Sequence, residues 1–248
     1  MATGGPLASG LRALVVADGD PVDAAALGAA WPGWSDGIRL VVAADGGARL
    51  AQRLVRDLPG GDLPEAVVPG GGRRIDLIVG DGDSLGDDEL ARFAAAGVPI
   101  ERSPAAKDES DTELALRAAV RLGATDLVIV GALGGRLDHA IANLGLLAAP
   151  WLDGRACVVL DATTRVTLLS GPVGREFAGG TGDVVSLLPL GDGVAGVTTA
   201  GLEFPLTDEP LPFGPARGLS NVRTLPVARV SVRHGRLLIV ESPATLAT

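Results

Sequence analysis

The chain has 248 residues, of which 47% are hydrophobic, 21% charged and 3% aromatic, enough apolar material for one or two packed domains and too much for a disordered chain. Thirty acidic against 21 basic residues leave a formal net charge of -9, which opposes loading onto nucleic acid or anionic lipid by bulk attraction. The apolar runs 127–133 and 141–152 fall short of the roughly 18 residues a membrane span needs, and Leu11 to Ala17 is stopped by Asp18 before it becomes a signal h-region, so the expected setting is cytoplasmic, with no membrane or nucleic-acid partner.

In chain order, Leu11 to Ala17, Leu40 to Ala44, Ile75 to Val79, Val98 to Ile100, Leu127 to Val130 and Ala156 to Leu160 read as buried strands. Between them, Gly47 to Arg56, Asp87 to Ala96, Thr112 to Leu122 and His139 to Leu147 carry helical periodicity. That alternation predicts an α/β domain with a mostly parallel sheet and helices on both faces. The Gly- and Pro-rich segment 57–74 reads as a solvated loop. Beyond Thr163 the helical signal stops. Val166 to Leu169, Asp183 to Leu188, Val194 to Thr199, Ala228 to Val232 and Arg236 to Val240 are short strands, with His234-Gly235 as the last turn, which predicts a small antiparallel β-sandwich. The domains expected are thus 1–162 and 163–248.

Several signatures are excluded. The single lysine, Lys107, follows Ala106, so no P-loop is present. Gly191, Gly193 and Gly196 have dinucleotide-fingerprint spacing but stand in a β pattern. Two histidines and one cysteine do not make a structural zinc site, and Cys157 reads as core packing. The start of a calcium loop at Asp81 fails at Leu85 and Arg92, where oxygen ligands are required.

What remains is a set of acids at strand ends. Asp81 and Asp83 follow Ile78-Val79-Gly80, where open sheets build ligand crevices, and in an extended backbone both carboxylates point one way and suit a hard cation such as Mg²⁺. Asp45 with Gly46 and Gly47 repeats the design after Val41 to Ala44, the glycines allowing close approach of a ligand; Asp45 also fits a helix N-cap. Lys107 lies among Asp108, Glu109, Asp111 and Glu113, and Ser110 with Glu113 reads as a capping box that leaves the lysine unexplained. Gly134-Gly135-Arg136-Leu137-Asp138-His139 with Asn143 is a fourth cluster, equally readable as a salt-bridged helix start.

Together these motifs resemble thiamin pyrophosphokinase: Ala44-Asp45-Gly46-Gly47, Gly80-Asp81-Gly82-Asp83-Ser84, Lys107-Asp108 with Asp111, and Gly134 to His139 with Asn143. Gly201-Leu202 with Pro205-Leu206, and Gly218-Leu219-Ser220-Asn221, look like the family's thiamin-side signature. The resemblance implies transfer of the pyrophosphoryl group of ATP to the thiamin hydroxyl, giving thiamin diphosphate and AMP, with Mg²⁺ and as a homodimer. It further implies Asp81, Asp83 and Asp111 on the metal, Lys107 and Arg136 on the phosphates, and Asp45 near the reacting groups. Gly46, Gly47, Asp138 and His139 would complete the nucleotide side, with Ser220 and Asn221 on thiamin. Two departures stand out. Gly82 occupies a position commonly larger and apolar, and the C-terminal domain offers only Phe177, Phe204 and Phe213 as rings. The rival readings are a diphosphokinase for another alcohol, such as a hydroxymethylpterin, and a non-catalytic thiamin or nucleotide sensor.

Overall fold

The computed structural model describes residues 10–57, 75–104 and 106–244. The chain divides into two compact units, one of residues 9–162 and one holding residues from Thr163 onward. Beyond Asp57, the expected loop 57–74 lies outside the described residues.

The first unit alternates strand and helix in the order β1 (Leu11–Val16), α1 (Ala24–Ala30), β2 (Ile38–Ala44), α2 (Gly47–Asp57), β3 (Leu77–Gly80), α3 (Asp87–Ala95), β4 (Ile100–Arg102), α4 (Asp111–Arg121), β5 (Ala124–Val130), α5 (Leu137–Leu146) and β6 (Ala156–Leu160). All strand pairs are parallel and stand in the order β4-β3-β2-β1-β5-β6. Val15 pairs with Val42 on one side, and Val16 with Val130 on the other. The chain steps outward from β1 to β4 and returns to β5 across β1, so the order reverses between β1 and β5. Right-handed crossovers then put α1, α2 and α3 on one face and α4 and α5 on the other. Side-chain alternation agrees. Leu14, Val16, Val41, Ala43 and Ile78 share a core with Leu27 of α1, Leu50 and Leu54 of α2 and Leu90 of α3, while α4 packs across β1, β2, β3 and β5. Trp31 and Trp34 belong to the first of these cores. Helix α1 escapes the sequence reading because Ala24 to Ala30 offers one buried anchor, Leu27, and is started by the Asp23 carboxylate, which accepts the Ala25 N–H at 2.7 Å.

The second unit is antiparallel: β7 (Arg165–Ser170), β8 (Val173–Ala178), β9 (Val184–Ala200), β10 (Glu209–Leu211), β11 (Asn221–Val222), β12 (Val227–Val232) and β13 (His234–Ser242). The two strands expected at 183–188 and 194–199 are one strand of 17 residues. Its first half pairs with β13 and β11, and its second half with β12 and β10. Gly191, Gly193 and Gly196 take φ of +67°, +102° and +69°, so the glycine spacing that imitates a nucleotide fingerprint bends one strand between two sheets. No turn separates β12 from β13: both run antiparallel along β9, with Ser231 opposite Thr198 and His234 opposite Ala195, so the turn expected at His234-Gly235 is instead a register shift between His234 and Arg236.

An ionic cluster crosses this apolar core. Arg223 has no exposed surface; it donates to Glu241 at 2.5 Å and to the Phe177 carbonyl at 2.9 Å, with its guanidinium 4.8 Å from the Phe177 ring centre. Arg165 shares the same carboxylate, meeting both Glu241 oxygens at 2.6 and 2.7 Å, and Asp183 supplies a second negative charge 4.0 Å from Arg223 Nε. In the first unit, burial pushes the Cys157 thiol up to about 12, with the Asp126 charge adding to it, in keeping with an inert packing role.

Candidate active site

The carboxyl ends of β1 to β4 bring Asp18, Asp45, Asp81, Asp83 and the first residue of α4, Asp111, to one edge of the sheet. Asp45, Asp81, Asp83 and Asp111 each place a carboxylate oxygen within 4.8 Å of the others. The gathering is not made by an extended backbone. The chain turns directly after β3, Gly82 takes φ +86°, and the Asp83 N–H points back to Asp81 Oδ1 at 3.2 Å. A side chain at 82 would be strained at that φ and would meet Leu90 Cδ1 at 2.6 Å, so the turn is built on a glycine here.

Asp45 is 2% exposed and has φ +39°. Its Oδ2 accepts the Ser84 N–H at 3.0 Å, so among the described residues it serves the β3–α3 turn and not the α2 N-cap. Its Oδ1 is buried with no hydrogen-bond partner. Burial first, and then the neighbouring Asp83 and Asp111, push the Asp45 carboxyl up to about 6 although the Ser84 N–H opposes the shift. Asp81 moves the other way, held below the usual carboxylate range first by the Asp83 N–H and then by Lys107. A converging oxygen set with one orphaned buried atom is unfavourable alone and fits a hard divalent cation.

Lys107 is the local counter-charge. Its Nζ donates to Ser103 Oγ at 2.8 Å, lies 3.5 Å from Asp81 Oδ2 and contacts Asp111. Burial works against the ammonium, yet the bond to Asp111 and the charges of Asp111 and Asp81 outweigh it and hold Lys107 above its ordinary value. Ser110 caps α4 by accepting the Glu113 N–H at 3.2 Å, whereas the Glu113 carboxylate turns to Arg117 at 2.9 Å, so only half of the expected capping box forms. Arg136 and Asp138, both exposed, pair at 2.6 Å at the start of α5. His139 is exposed beside them, and Asn143 is buried, donating to the Ala132 carbonyl at 2.9 Å.

Asp45, Lys107, Ser110, Asp111, Arg136, His139 and Asn143 line a cleft of about 410 Å³ that also takes in Asp18, Gly19, Ser84, Glu109 and Gly134. A depression of similar size, about 420 Å³, between Pro21 to Ala24 and Arg53 to Arg56 lacks the acid cluster, so chemistry rather than volume selects the first. Gly46 and Gly47 are required by the chain itself. A Cβ at 46 would lie 2.2 Å from Asp18 Oδ2, and one at 47 would lie 2.4 Å from the Val16 carbonyl oxygen. Asp18 escapes the sequence reading, although Val16-Ala17-Asp18-Gly19 repeats the strand, acid and glycine order of Ala43-Ala44-Asp45-Gly46. Its pKa is raised, by burial first, while Arg49 and Ser84 oppose the rise.

In the second unit Ser220 is exposed with φ +55°, and its N–H donates to Ser186 Oγ at 3.1 Å. Asn221 is buried and bonds the backbone of Phe204. Phe177 lies under Arg223, whereas Phe204 and Phe213 are exposed.

The catalytic-domain family model of thiamin pyrophosphokinase matches residues 34–159, and that of its vitamin B1 binding domain matches residues 175–237. Thiamine pyrophosphokinase of Bacillus subtilis is 25% identical over 171 residues, covering 66% of this chain and 76% of that protein. Thiamine pyrophosphokinase 1 of Oryza sativa is 27% identical over 197 residues, 75% of this chain and 73% of that protein. The crystal structure of the Bacillus subtilis protein superposes with a TM-score of 0.74 at 20% identity, covering 94% of this chain and 99% of that one. With a catalytic-domain match over half its length and the acid cluster gathered inside that match, the chain belongs to the thiamin pyrophosphokinase family.

Proposed function

We propose that this protein transfers the pyrophosphoryl group of ATP to the hydroxyl of thiamin. The hydroxyl oxygen bonds to the β-phosphorus, the bond from that phosphorus to the α,β-bridging oxygen breaks, the hydroxyl proton is released, and thiamin diphosphate and AMP leave. The observation that carries the reading is the convergence of Asp45, Asp81, Asp83 and Asp111 within a catalytic-domain match. The B1-binding match over 175–237 favours thiamin over a pterin alcohol as acceptor, and the intact acid set speaks against a mere sensor.

The donor set and the orphaned Asp45 Oδ1 fit Mg²⁺, with Asp81, Asp83 and Asp111 as its carboxylates and Asp45 beside them. Bound there, Mg²⁺ supplies neutralisation of polyphosphate charge. Lys107, poised on Asp81 and Asp111, exchanges part of that pairing for a phosphate oxygen when ATP enters, and Arg136, in the lining of the same cleft, offers a fork. Attack at phosphorus asks for in-line placement and charge stabilisation more than for a strong base, which this set of groups is suited to provide. In the second unit Ser220 and the exposed rings of Phe204 and Phe213 are assigned to the acceptor, with Asn221 holding the Phe204 backbone beneath them. A homodimeric assembly in the cytoplasm belongs to the same proposal and rests on the family resemblance.

Incubation of the purified protein with ATP, Mg²⁺ and thiamin tests the reading. Thiamin-dependent formation of AMP and thiamin diphosphate supports it. Release of ADP, or AMP formation independent of thiamin, overturns it.

A further inference from the structure

Arg49, the third residue of α2, has no part in the resemblance and is not one of the cluster's acids, yet it reaches the loop that carries two of them. Its Nη2 donates to the Ser84 carbonyl at 2.8 Å, its Nε lies 3.1 Å from both Glu89 oxygens, and the guanidinium closes on Glu89 of α3. Ser84 is the residue that holds the acids. Its N–H donates to Asp45 Oδ2 at 3.0 Å and its hydroxyl donates to Asp83 Oδ1 at 3.2 Å. One planar fork therefore fastens the carbonyl of the residue whose amide and hydroxyl aim Asp45 and Asp83, and fixes that residue to the start of α3. As a stability device the pair counts for little, because Arg49 is 44% exposed and solvent screens an ion pair at the surface. Its geometry matters more, because groups that orient metal-binding side chains set affinity without touching the ion.

We propose that Arg49, oriented by Glu89, is a positioning residue that sets the Asp81 to Ser84 turn for divalent-cation binding. The proposal rests on the reading of the aspartate cluster as the metal site. Lysine at 49 keeps the charge but loses the fork, so a loss in Arg49→Lys reports geometry. Arg92 supplies the control, since it ion-pairs with the same Glu89 at 3.7 Å from a side chain that is 75% exposed.

The test is a titration of the nucleotide-free full chain with Mn²⁺, free ion being read by electron paramagnetic resonance and folding by melting temperature. Arg49→Lys and Glu89→Gln should each weaken Mn²⁺ binding by about tenfold or more with little change in melting temperature. The double variant should be no weaker than the weaker single one, because both cut one link. Arg92→Ala should bind as wild type. Wild-type Mn²⁺ affinity in Glu89→Gln or in a folded Arg49→Lys, while Asp83→Asn loses the ion, overturns the positioning role alone; if Arg49→Lys does not fold, Glu89→Gln decides. Undiminished affinity in Asp83→Asn overturns the metal reading and the positioning role with it.

Discussion

Asn221 closes both ends of its amide on one residue, Phe204, accepting its N–H at 2.9 Å and donating to its carbonyl at 2.7 Å. The same Oδ1 takes the Val222 N–H at 2.9 Å. Backbone bonds from the Glu203 N–H to the Val222 carbonyl and from the Thr224 N–H to the Gly201 carbonyl, both 2.9 Å, pair the two segments around Leu202 and Arg223, and the asparagine amide extends that pairing to Phe204.

Asn221→Ala is therefore expected to lower stability by about 2–3 kcal/mol, since it strips partners from partly buried backbone groups. Urea unfolding measures this. A variant of unchanged stability with a raised thiamin KM would instead make Asn221 a direct ligand of the acceptor.

Lys107→Ala should reduce kcat/KM for ATP by roughly 100-fold, the loss of one charge-stabilising group at a phosphoryl site. Lys107→Arg should restore only part of it, because a guanidinium does not fit between Ser103, Asp81 and Asp111 as the compact ammonium does. Steady-state kinetics at saturating thiamin decide, and full activity in the alanine variant would remove Lys107 from the nucleotide site.

The Asp45 carboxyl titrates near 3.8 when unfolded and at about 6 in the folded, metal-free chain. Between those values the folded state keeps a proton that the unfolded state has released, so this group's contribution is present below the unfolded value and is lost as pH rises to about 6. Without metal, Asp45→Asn should melt above wild type near neutral pH, and the gap should close in acid. Differential scanning calorimetry at several pH values measures it, and a gap independent of pH would show that Asp45 is not the titrating group.

Glu241→Gln keeps the shape of the side chain but leaves the wholly buried Arg223 without its closest counter-charge. Breaking such a pair from one side costs about 3–5 kcal/mol, so the variant should unfold at markedly lower urea. Replacing Glu241, Arg223 and Arg165 together by apolar residues of similar volume should recover much of that loss.

The first unit is legible in its sequence because apolar strands at Leu11, Leu40 and Leu127 alternate with amphipathic helices. The strand-end acids stand out because each follows a buried run with glycine. Asp18 obeys the same rule and is overlooked only because it ends a stretch that reads as a failed signal segment. Arg49 carries no comparable mark, since a cation in an amphipathic helix looks like solvated surface until the fold sets Ser84 and Glu89 opposite it. Arg223 and Glu241 are similarly hidden: 18 residues apart in the chain, they meet only through strand pairing. In β9, glycines that take positive φ look like chain breaks in a pattern that expects strands to stop there, and tertiary pairing on both sides carries the strand through.

The bend in β9 also governs how the second unit comes apart. One strand supplies ladder bonds to β13 and β11 at one end and to β12 and β10 at the other, so neither sheet can peel away while the other stays whole. Amides of both halves should exchange with solvent as a single slow class, through global opening rather than local fraying. Because β12 and β13 come from a distant part of the chain, that block forms only after long loops have closed, which makes it the slow-folding part of the unit and the natural seat of its kinetic barrier.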